Sequence, residues 1–156
     1  ISTFIKRLWP MENDNHATVS VDDCRLLTLD RHHHENGNLT VVENGKDFPF
    51  EVQRVFYIYD VPGGTDRGGH SHRRCHQFIV AVSGSFDLEI DDGVSRRTVT
   101  LNRSNIGLYV APGIWVGLRN FSSGSVCLTL ASDPYDEADY VRDYDEFLNL
   151  TANKRK

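Results

Sequence analysis

The sequence predicts an all-β fold, a sandwich or a barrel, followed by a short C-terminal helix. Short runs of β-branched and aromatic residues recur along the chain, and Gly, Pro and Asn turns separate them at regular intervals. Near its end the chain becomes acidic and carries spaced aromatic residues. A length of 156 residues with 39% hydrophobic and 25% charged residues fits one globular domain. We therefore predict an N-terminal arm over residues 1–20, a single domain over 21–150 and a frayed tail over 151–156.

The predicted strands are short and are separated by short loops and turns. In the first half, strands are expected over residues 24–29, 39–43 and 50–60, with a loop over 31–38 and a hairpin turn at Asn44-Gly45. In the second half, strands are expected over 77–83, 86–90, 97–101, 107–111, 115–118 and 125–131. The continuous apolar run Phe78–Val82 is typical of a strand buried on both faces. The helix is expected over 133–150, because Ser132 or Asp133 can cap it and Pro134 suits its first position.

Charge and cysteine content narrow the class of function. A net charge of −5 argues against general binding to nucleic acid or to anionic membranes. The three cysteines, Cys24, Cys75 and Cys127, are an odd number without short spacing, so they do not indicate a disulfide framework, and we expect a cytoplasmic protein. No apolar run approaches the length of a membrane span, and no signal peptide is visible.

A histidine pair, His70 and His72, stands out within the stretch Gly64–Gly84. Side chains alternate along a strand, so these two imidazoles should point to the same face. Two imidazoles side by side on a strand make either a metal site or an acid/base site.

The spacing around this pair resembles the two sequence motifs of the cupins, which have a double-stranded β-helix or jelly-roll barrel. The first motif is met by Gly64, His70, His72, Gln77 and Gly84, and the second by Gly113, Val116 and Asn120. Two of these residues depart from the cupin pattern, because Gln77 stands in place of a glutamate and Val116 in place of a histidine. The resemblance implies the cupin fold with an altered set of metal ligands.

These two departures predict a site without metal. Two histidines leave too few strong ligands for a stable divalent ion. His76 shares the strand face of His72 by parity, but four residues at the rise of a strand separate them by about 13 Å. We therefore expect His70 and His72 to act as acid and base.

An imidazole titrates near neutral pH and can move protons between carbon atoms. One reaction that needs this chemistry is a ketone shift between adjacent carbons through an enediol, with a donor to stabilise the enediolate oxygen. The residues alone leave other proton transfers open.

A family resemblance selects among them. The runs RVFYIYDVPGG, TDRGGHSH, RRCHQFIVAVSGSFDLEIDDG, GLYVAPGIW and NFSSGSVCLTLASDPYDEADYVRDYDEFL resemble those of the nucleotide-linked sugar 3,4-ketoisomerases. The resemblance implies action on dTDP-4-keto-6-deoxy-D-glucose in the synthesis of dideoxy-amino sugars, such as those of O-antigen or S-layer glycans. It also implies no cofactor and a homodimer, often with exchanged N-terminal strands. His70 would then match the catalytic base, with His72 as its partner in proton transfer.

Further residues are candidates for substrate binding. Arg67 precedes the histidine pair, and its guanidinium suits the diphosphate. The remaining candidates are Arg54, Tyr57, Tyr59, Gln77 and Trp115. By parity Tyr57 and Tyr59 share one strand face and Arg54 takes the other, so all three line one pocket only if the strand bends.

Three other functions remain open from the sequence: a 3- or 3,5-epimerase, a metal-dependent cupin dioxygenase and a non-catalytic sugar-nucleotide-binding cupin. The configuration of the product at C4 also remains open. Two further patterns are not assigned to a functional site. His32–His34 is expected in a solvated loop, and Asp91-Asp92 is expected in a turn.

Overall fold

The structure, a computed structural model, describes residues 18–46 and 48–156. Most of the predicted N-terminal arm, residues 1–17, therefore lies outside the described residues. The strands are β1 (Arg25–Thr28), β2 (Arg31–His34), β3 (Gly37–Thr40), β4 (Arg54–Ile58), β5 (Arg67–His72), β6 (Gln77–Ser83), β7 (Phe86–Asp91), β8 (Arg96–Leu101), β9 (Ile106–Val110), β10 (Trp115–Arg119), β11 (Val126–Ala131) and β12 (Tyr140–Val141). Two short 3-10 helices, Val21–Asp23 and Glu137–Asp139, and one α-helix, α1 (Tyr144–Lys154), complete the described fold.

Ten of the strands form two five-stranded antiparallel sheets. The first sheet has the order β1-β9-β6-β11-β4, and the second has the order β12-β5-β10-β7-β8. Ile79 and Leu108 of the first sheet meet Leu88, Ile90 and Val116 of the second in one buried core. Burial of this apolar surface is the main force that holds the sheets together. The predicted all-β fold with a C-terminal helix is confirmed.

Strand β6 lies at the centre of the first sheet and is buried on both faces, as its apolar run predicts. Ile79 and Ala81 face the core between the sheets, whereas Phe78 and Val80 pack on the outer face in a second apolar cluster. Gly107 on the neighbouring β9 makes room for the Phe78 ring, because a Cβ at Gly107 would overlap it. The observed bounds of β6, Gln77–Ser83, are those predicted.

The first third of the chain differs from the prediction. Strands β2 and β3 pair with each other over Arg31–Thr40, where a loop and the start of a strand are predicted, and β4 is shorter than the strand predicted over 50–60. The sequence pattern does not predict the β2–β3 hairpin, because all four residues of β2 are exposed. A strand with no buried face carries no alternation of apolar and polar residues.

The C-terminal helix begins later than predicted. Its N-cap is Asp143, whose side chain accepts a hydrogen bond from the backbone N–H of Glu146, so neither Ser132 nor Asp133 caps it. The acidic stretch before it instead forms the second 3-10 helix and β12. The helix continues to Lys154 with Thr151 buried, so the predicted frayed tail is ordered over most of its length.

The Asp91-Asp92 turn has the structural role that is predicted for it. One carboxylate oxygen of Asp92 accepts the N–H groups of Val94 and Ser95, and the other accepts that of Val21. The turn therefore fixes the first 3-10 helix against the second sheet. Within the described residues, no helix has the length and apolar character needed to cross a membrane.

Candidate active site

A cavity of about 370 Å³ opens between the two sheets at the end where β5 begins. Its apolar lining comes from both sheets and consists of Phe56, Ile58, Ile79, Val116 and Leu118. Its polar lining consists of Arg67, His70, Gln77, Thr129, Tyr140 and Arg142, and Tyr57 and Gly68 complete it. A concave pocket with apolar walls and converging polar groups is typical of a small-molecule site.

The two histidines of β5 lie together, as the alternation of the strand predicts. Their ring centroids are 5.1 Å apart, and the rings meet edge to face. His70 lines the cavity beside Val116, its cross-strand partner on β10. His72 lies deeper and is only 4% exposed.

A buried carboxylate, that of Asp139, fixes the orientation of His72. The distance from His72 Nδ1 to Asp139 Oδ2 is 2.8 Å, and the other carboxylate oxygen accepts the backbone N–H of Arg74 at 2.7 Å. Because the carboxylate can only accept, Nδ1 must carry the proton and donate it. The other nitrogen, Nε2, then has a free lone pair, and it is buried without a hydrogen-bond partner.

Tyr140 packs against both imidazoles. Its ring centroid is 5.1 Å from that of His70 and 4.3 Å from that of His72. Its hydroxyl accepts a hydrogen bond of 3.5 Å from a guanidinium N–H of Arg54. The pattern analysis selects neither Asp139 nor Tyr140 for the site, although Tyr140 is part of the run by which the family resemblance is identified.

Arg142 also packs on the ring of Tyr140, with its guanidinium carbon 4.3 Å from the ring centroid. Glu137 holds that guanidinium through two hydrogen bonds of 2.7 and 3.0 Å. Hydrogen bonds from Arg142 and Tyr135 lower the pKa of Glu137 to about 2. Tyr140 is therefore fixed between the two imidazoles and a paired cation.

Burial keeps the histidine pair neutral near pH 7. It lowers the pKa of His70 to about 4, and the neighbouring His72 and the cations of Arg142 and Arg54 act in the same direction. Burial also lowers the pKa of His72, although the hydrogen bond to Asp139 opposes this. Burial of Asp139 acts to raise its pKa, but the hydrogen bonds that it accepts outweigh burial, so its pKa lies below the usual value. The site thus combines neutral imidazoles with an ionised carboxylate.

The candidate arginines have different surroundings. Arg67 is exposed and lines the cavity. Arg54 lies on the inner side of β4, near the rings of Phe56 and Tyr135, and reaches the site through Tyr140. The opposite orientations predicted for Arg54 and for Tyr57 and Tyr59 are therefore observed.

The aromatic candidates for substrate binding lie largely outside the cavity. Tyr57 and Tyr59 point outward and are 60% and 59% exposed, and only Tyr57 reaches the edge of the cavity. Trp115 packs against Tyr144 and Phe147 of α1, with ring centroids 5.2 and 5.4 Å away. Its position favours a packing role.

The residues at the cupin metal positions do not fit a metal ion. The buried alkyl group of Val116 lies beside His70 where a third imidazole would be needed, and Gln77 offers a neutral amide, so strong ligands are too few. His76 does not share a strand with the pair, because β5 ends at His72 and the chain then crosses to the other sheet. Its Nδ1 is 2.6 Å from the hydroxyl of Tyr109.

The triple histidine and the cysteines lie elsewhere. His32–His34 forms the exposed strand β2 instead of the predicted loop, and His33 and His34 are hydrogen-bonded to the side chains of Asn38 and Asn36. All three cysteines are buried and free of disulfides.

Comparisons with known proteins found a matching family and a similar characterised protein. A family model described as FdtA: WxcM-like, C-terminal, matches residues 22–152. The chain is 43% identical over 116 residues to the TDP-4-oxo-6-deoxy-alpha-D-glucose-3,4-oxoisomerase of Aneurinibacillus thermoaerophilus, which covers 74% of this chain and 84% of that protein.

Two solved structures are similar over most of the chain. A 3,4-ketoisomerase from Helicobacter canadensis superposes with a TM-score of 0.81 at 41% identity, covering 83% of this chain and 98% of that one. A mutant of the 3,4-ketoisomerase QdtA from Thermoanaerobacterium thermosaccharolyticum, in complex with TDP-4-keto-6-deoxyglucose, gives a TM-score of 0.81 at 33% identity, covering 83% of this chain and 94% of that one.

Proposed function

The chain belongs to the family described as FdtA: WxcM-like, C-terminal, and on that premise we propose that it is a sugar-nucleotide 3,4-ketoisomerase. It moves the ketone of dTDP-4-keto-6-deoxy-D-glucose from C4 to C3 through an enediol. The observation that carries the proposal is the pair of neutral imidazoles at the cavity, one of them fixed by a buried carboxylate. A relative that is 43% identical carries this activity in its name.

His70 is the base in this mechanism. It lines the cavity, and its low pKa keeps it neutral and able to accept a proton across the physiological range. It takes the proton from C3, the C3–H bonding electrons form the C3–C4 double bond, and the electrons of the C4 carbonyl move to its oxygen. The imidazolium of His70 or its partner then protonates C4.

His72 assists the proton transfer of His70. The hydrogen bond to Asp139 keeps the proton of His72 on Nδ1, so the Nε2 lone pair is available to share the proton that His70 takes up. A nearby ionised carboxylate stabilises the positive charge that develops on the imidazole pair. Asp139 is therefore a positioning residue.

Tyr140 completes the proton balance. The ketone shift requires the hydroxyl proton of O3 to leave and O4 to gain one. A phenol hydroxyl can accept the first and donate the second, and the Arg54 guanidinium next to it favours the negative charge of the enediolate.

Other residues bind the diphosphate and the sugar hydroxyls of the substrate. Arg67 provides the guanidinium for the diphosphate. Arg73 and Arg74 do not, because they pair with Glu146 and Asp136 at 2.7 and 2.8 Å. Gln77 is only 3% exposed and lines the cavity, and its amide serves the sugar hydroxyls.

The enzyme works as a homodimer in this proposal. Strand β4 is an edge strand of the first sheet. Its outward residues Val55 and Tyr57, and Tyr59 just after it, are more than half exposed. An exposed apolar edge of this kind needs a cover, and a second copy provides it. The three unpaired cysteines favour a reducing cytoplasm as the location.

One experiment tests the activity and the base together. Purified protein is incubated with dTDP-4-keto-6-deoxyglucose in deuterated water, and the reaction is followed by NMR. We expect a 3-keto product, and we expect His70→Asn to lose 10²–10⁴-fold in turnover, roughly the share of general acid–base catalysis, while its circular dichroism stays unchanged. The control His33→Asn changes an exposed histidine of the hairpin and should keep full activity. Deuterium at C3 and C5 without migration of the ketone would instead indicate an epimerase.

A further inference from the structure

A second set of potential metal ligands lies behind the cavity and is distinct from the cupin positions. The set is His72, Cys75 and Asp139, each of which offers one ligand atom, and these atoms all lie within 4.8 Å of one another. The three residues are 4%, 2% and 3% exposed. One nitrogen, one sulfur and one oxygen form a ligand set that Zn²⁺ and Co²⁺ accept in proteins.

Main-chain contacts hold Asp139 beside the segment that carries His72 and Cys75. The N–H of Arg73 donates to the carbonyl oxygen of Asp139 at 2.8 Å, and the N–H of Arg74 donates to the Asp139 carboxylate. The ligand atoms of a tetrahedral zinc site lie roughly 3.3–3.8 Å apart. No two of these ligand atoms therefore need to approach each other by more than about 1.5 Å to enclose the ion.

The thiol is the easiest of the three groups to recruit. Cys75 Sγ has only weak hydrogen bonds, one of 3.4 Å to the carbonyl oxygen of His76 and one of 3.8 Å from the hydroxyl of Ser132. When the metal binds, the thiol releases its proton to solvent and a sulfur–metal bond forms. The thiolate and the Asp139 carboxylate together then balance the charge of the divalent ion.

We propose that His72, Cys75 and Asp139 form an inhibitory Zn²⁺ site. The nitrogen of His72 that faces Asp139 is Nδ1. When His72 offers the Nδ1 lone pair to the ion, its proton moves to Nε2 and the hydrogen bond to Asp139 is lost. Nε2 then becomes a donor, and the imidazole pair loses the acceptor that the ketoisomerase mechanism uses. The inhibition rests on the proposed function, whereas the binding does not.

The test separates binding from activity. Metal-free protein is titrated with Co²⁺, and the sulfur-to-cobalt charge-transfer absorption is recorded; Zn²⁺ is then added as a competitor, and its effect on turnover is measured in parallel. We expect one Co²⁺ per chain with thiolate absorption, displacement by Zn²⁺, and a matching loss of ketoisomerase activity.

Two cysteine variants identify the site. Cys75→Ser should remove the thiolate absorption and weaken Zn²⁺ inhibition by at least about tenfold, since a lost ligand costs no less than a lost supporting contact. Cys127→Ser is the matched control, because Cys127 is equally buried and lies in the core between the sheets. It should bind and respond to metal as the unchanged protein does.

Several results would overturn the proposal. The unchanged protein could show no cobalt–thiolate absorption, which would exclude the site whether or not the Cys75 variant folds. Zn²⁺ inhibition could persist undiminished in Cys75→Ser, which would point to other histidines, such as those of the exposed hairpin. Metal binding with full thiolate absorption in a protein without ketone migration would refute the proposed function and leave the metal site standing.

Discussion

Replacing Asp139 by Asn tests the proposed role of the buried carboxylate with a minimal change of shape. Asp139 now accepts two hydrogen bonds, from His72 Nδ1 and from the backbone N–H of Arg74. An amide has only one oxygen. If that oxygen stays with the backbone N–H, which can only donate, the amide NH₂ faces His72 and forces Nδ1 to accept. The His72 proton then moves to Nε2, and the acceptor is lost.

The expected loss follows from the size of acid–base catalysis. We expect the turnover number of Asp139→Asn to fall by about 10²–10⁴-fold, which corresponds to roughly 2.7–5.4 kcal/mol in the activation free energy. The KM should change little, because Asp139 is not among the residues that line the cavity. Exchanging a charge-assisted hydrogen bond for a neutral one should lower the free energy of unfolding by about 1–2 kcal/mol.

The assay combines initial rates with ¹⁵N NMR of the imidazoles, which reports which nitrogen of His72 is protonated. Asp136→Asn is the control, since Asp136 lies in the same turn and binds Arg74, but its side chain is 45% exposed. It should keep the turnover number within about twofold, in line with other exposed ion pairs. The reasoning is refuted if Asp139→Asn stays within tenfold of the unchanged enzyme, or if His72 keeps its proton on Nδ1.

Three further predictions concern acid stability, nucleotide binding and packing. Because the pKa of His70 falls from 6.5 to about 4 on folding, the unfolded chain binds an extra proton in that range, so stability decreases as the pH is lowered from about 6.5 to about 4. In His70→Asn, the melting temperature should therefore depend less on pH between about 4 and 6.5. Equal pH dependence in the variant and in the unchanged protein would contradict this prediction. Arg67→Ala should raise the KM about 10–100-fold with little change in turnover number, whereas Arg73→Ala should not; equal effects would remove the diphosphate role. Gly107→Ala should cost about 1–3 kcal/mol of unfolding free energy, because the added methyl would lie 2.7 Å from a carbon of the phenyl ring packed over it. Gly117→Ala, where the added methyl meets nothing within 4 Å, should be close to neutral in the same denaturation experiment.

The sequence predicts well those elements whose own residues carry a distinctive pattern. Strand β6 has the bounds that its apolar run and its following Ser-Gly indicate. The helix is misplaced because acidic residues near Pro134 satisfy the rules for a helix start, and Asp143 satisfies them again ten residues later. Tertiary packing of Tyr144 and Phe147 on Trp115 decides between the two starts. The rules for a helix start contain no such information.

The same distinction between local and long-range information applies to the residues of the site. The histidine pair is found from its spacing, because residues two apart on a strand share a face by geometry alone. Asp139 comes to His72 across 67 positions of sequence, and no periodicity connects them. Arg73 and Arg74 directly follow the histidine pair in the sequence, but their ion-pair partners come from the C-terminal segment.

The pairing of β12 with β5 also determines when the proposed site can first be complete. Tyr140 of β12 pairs with His72, and Asp139 ends the 3-10 helix just before β12, so the phenol and the buried carboxylate both come from the C-terminal part of the chain. During translation the histidines leave the ribosome 67 residues ahead of that carboxylate, which is roughly 3–13 s at ordinary rates of synthesis. In the proposed mechanism, the histidine pair therefore lacks its carboxylate until residue 139 has been made. We expect a chain that ends before residue 139 to be inactive, and a turnover assay of such a truncated chain checks this.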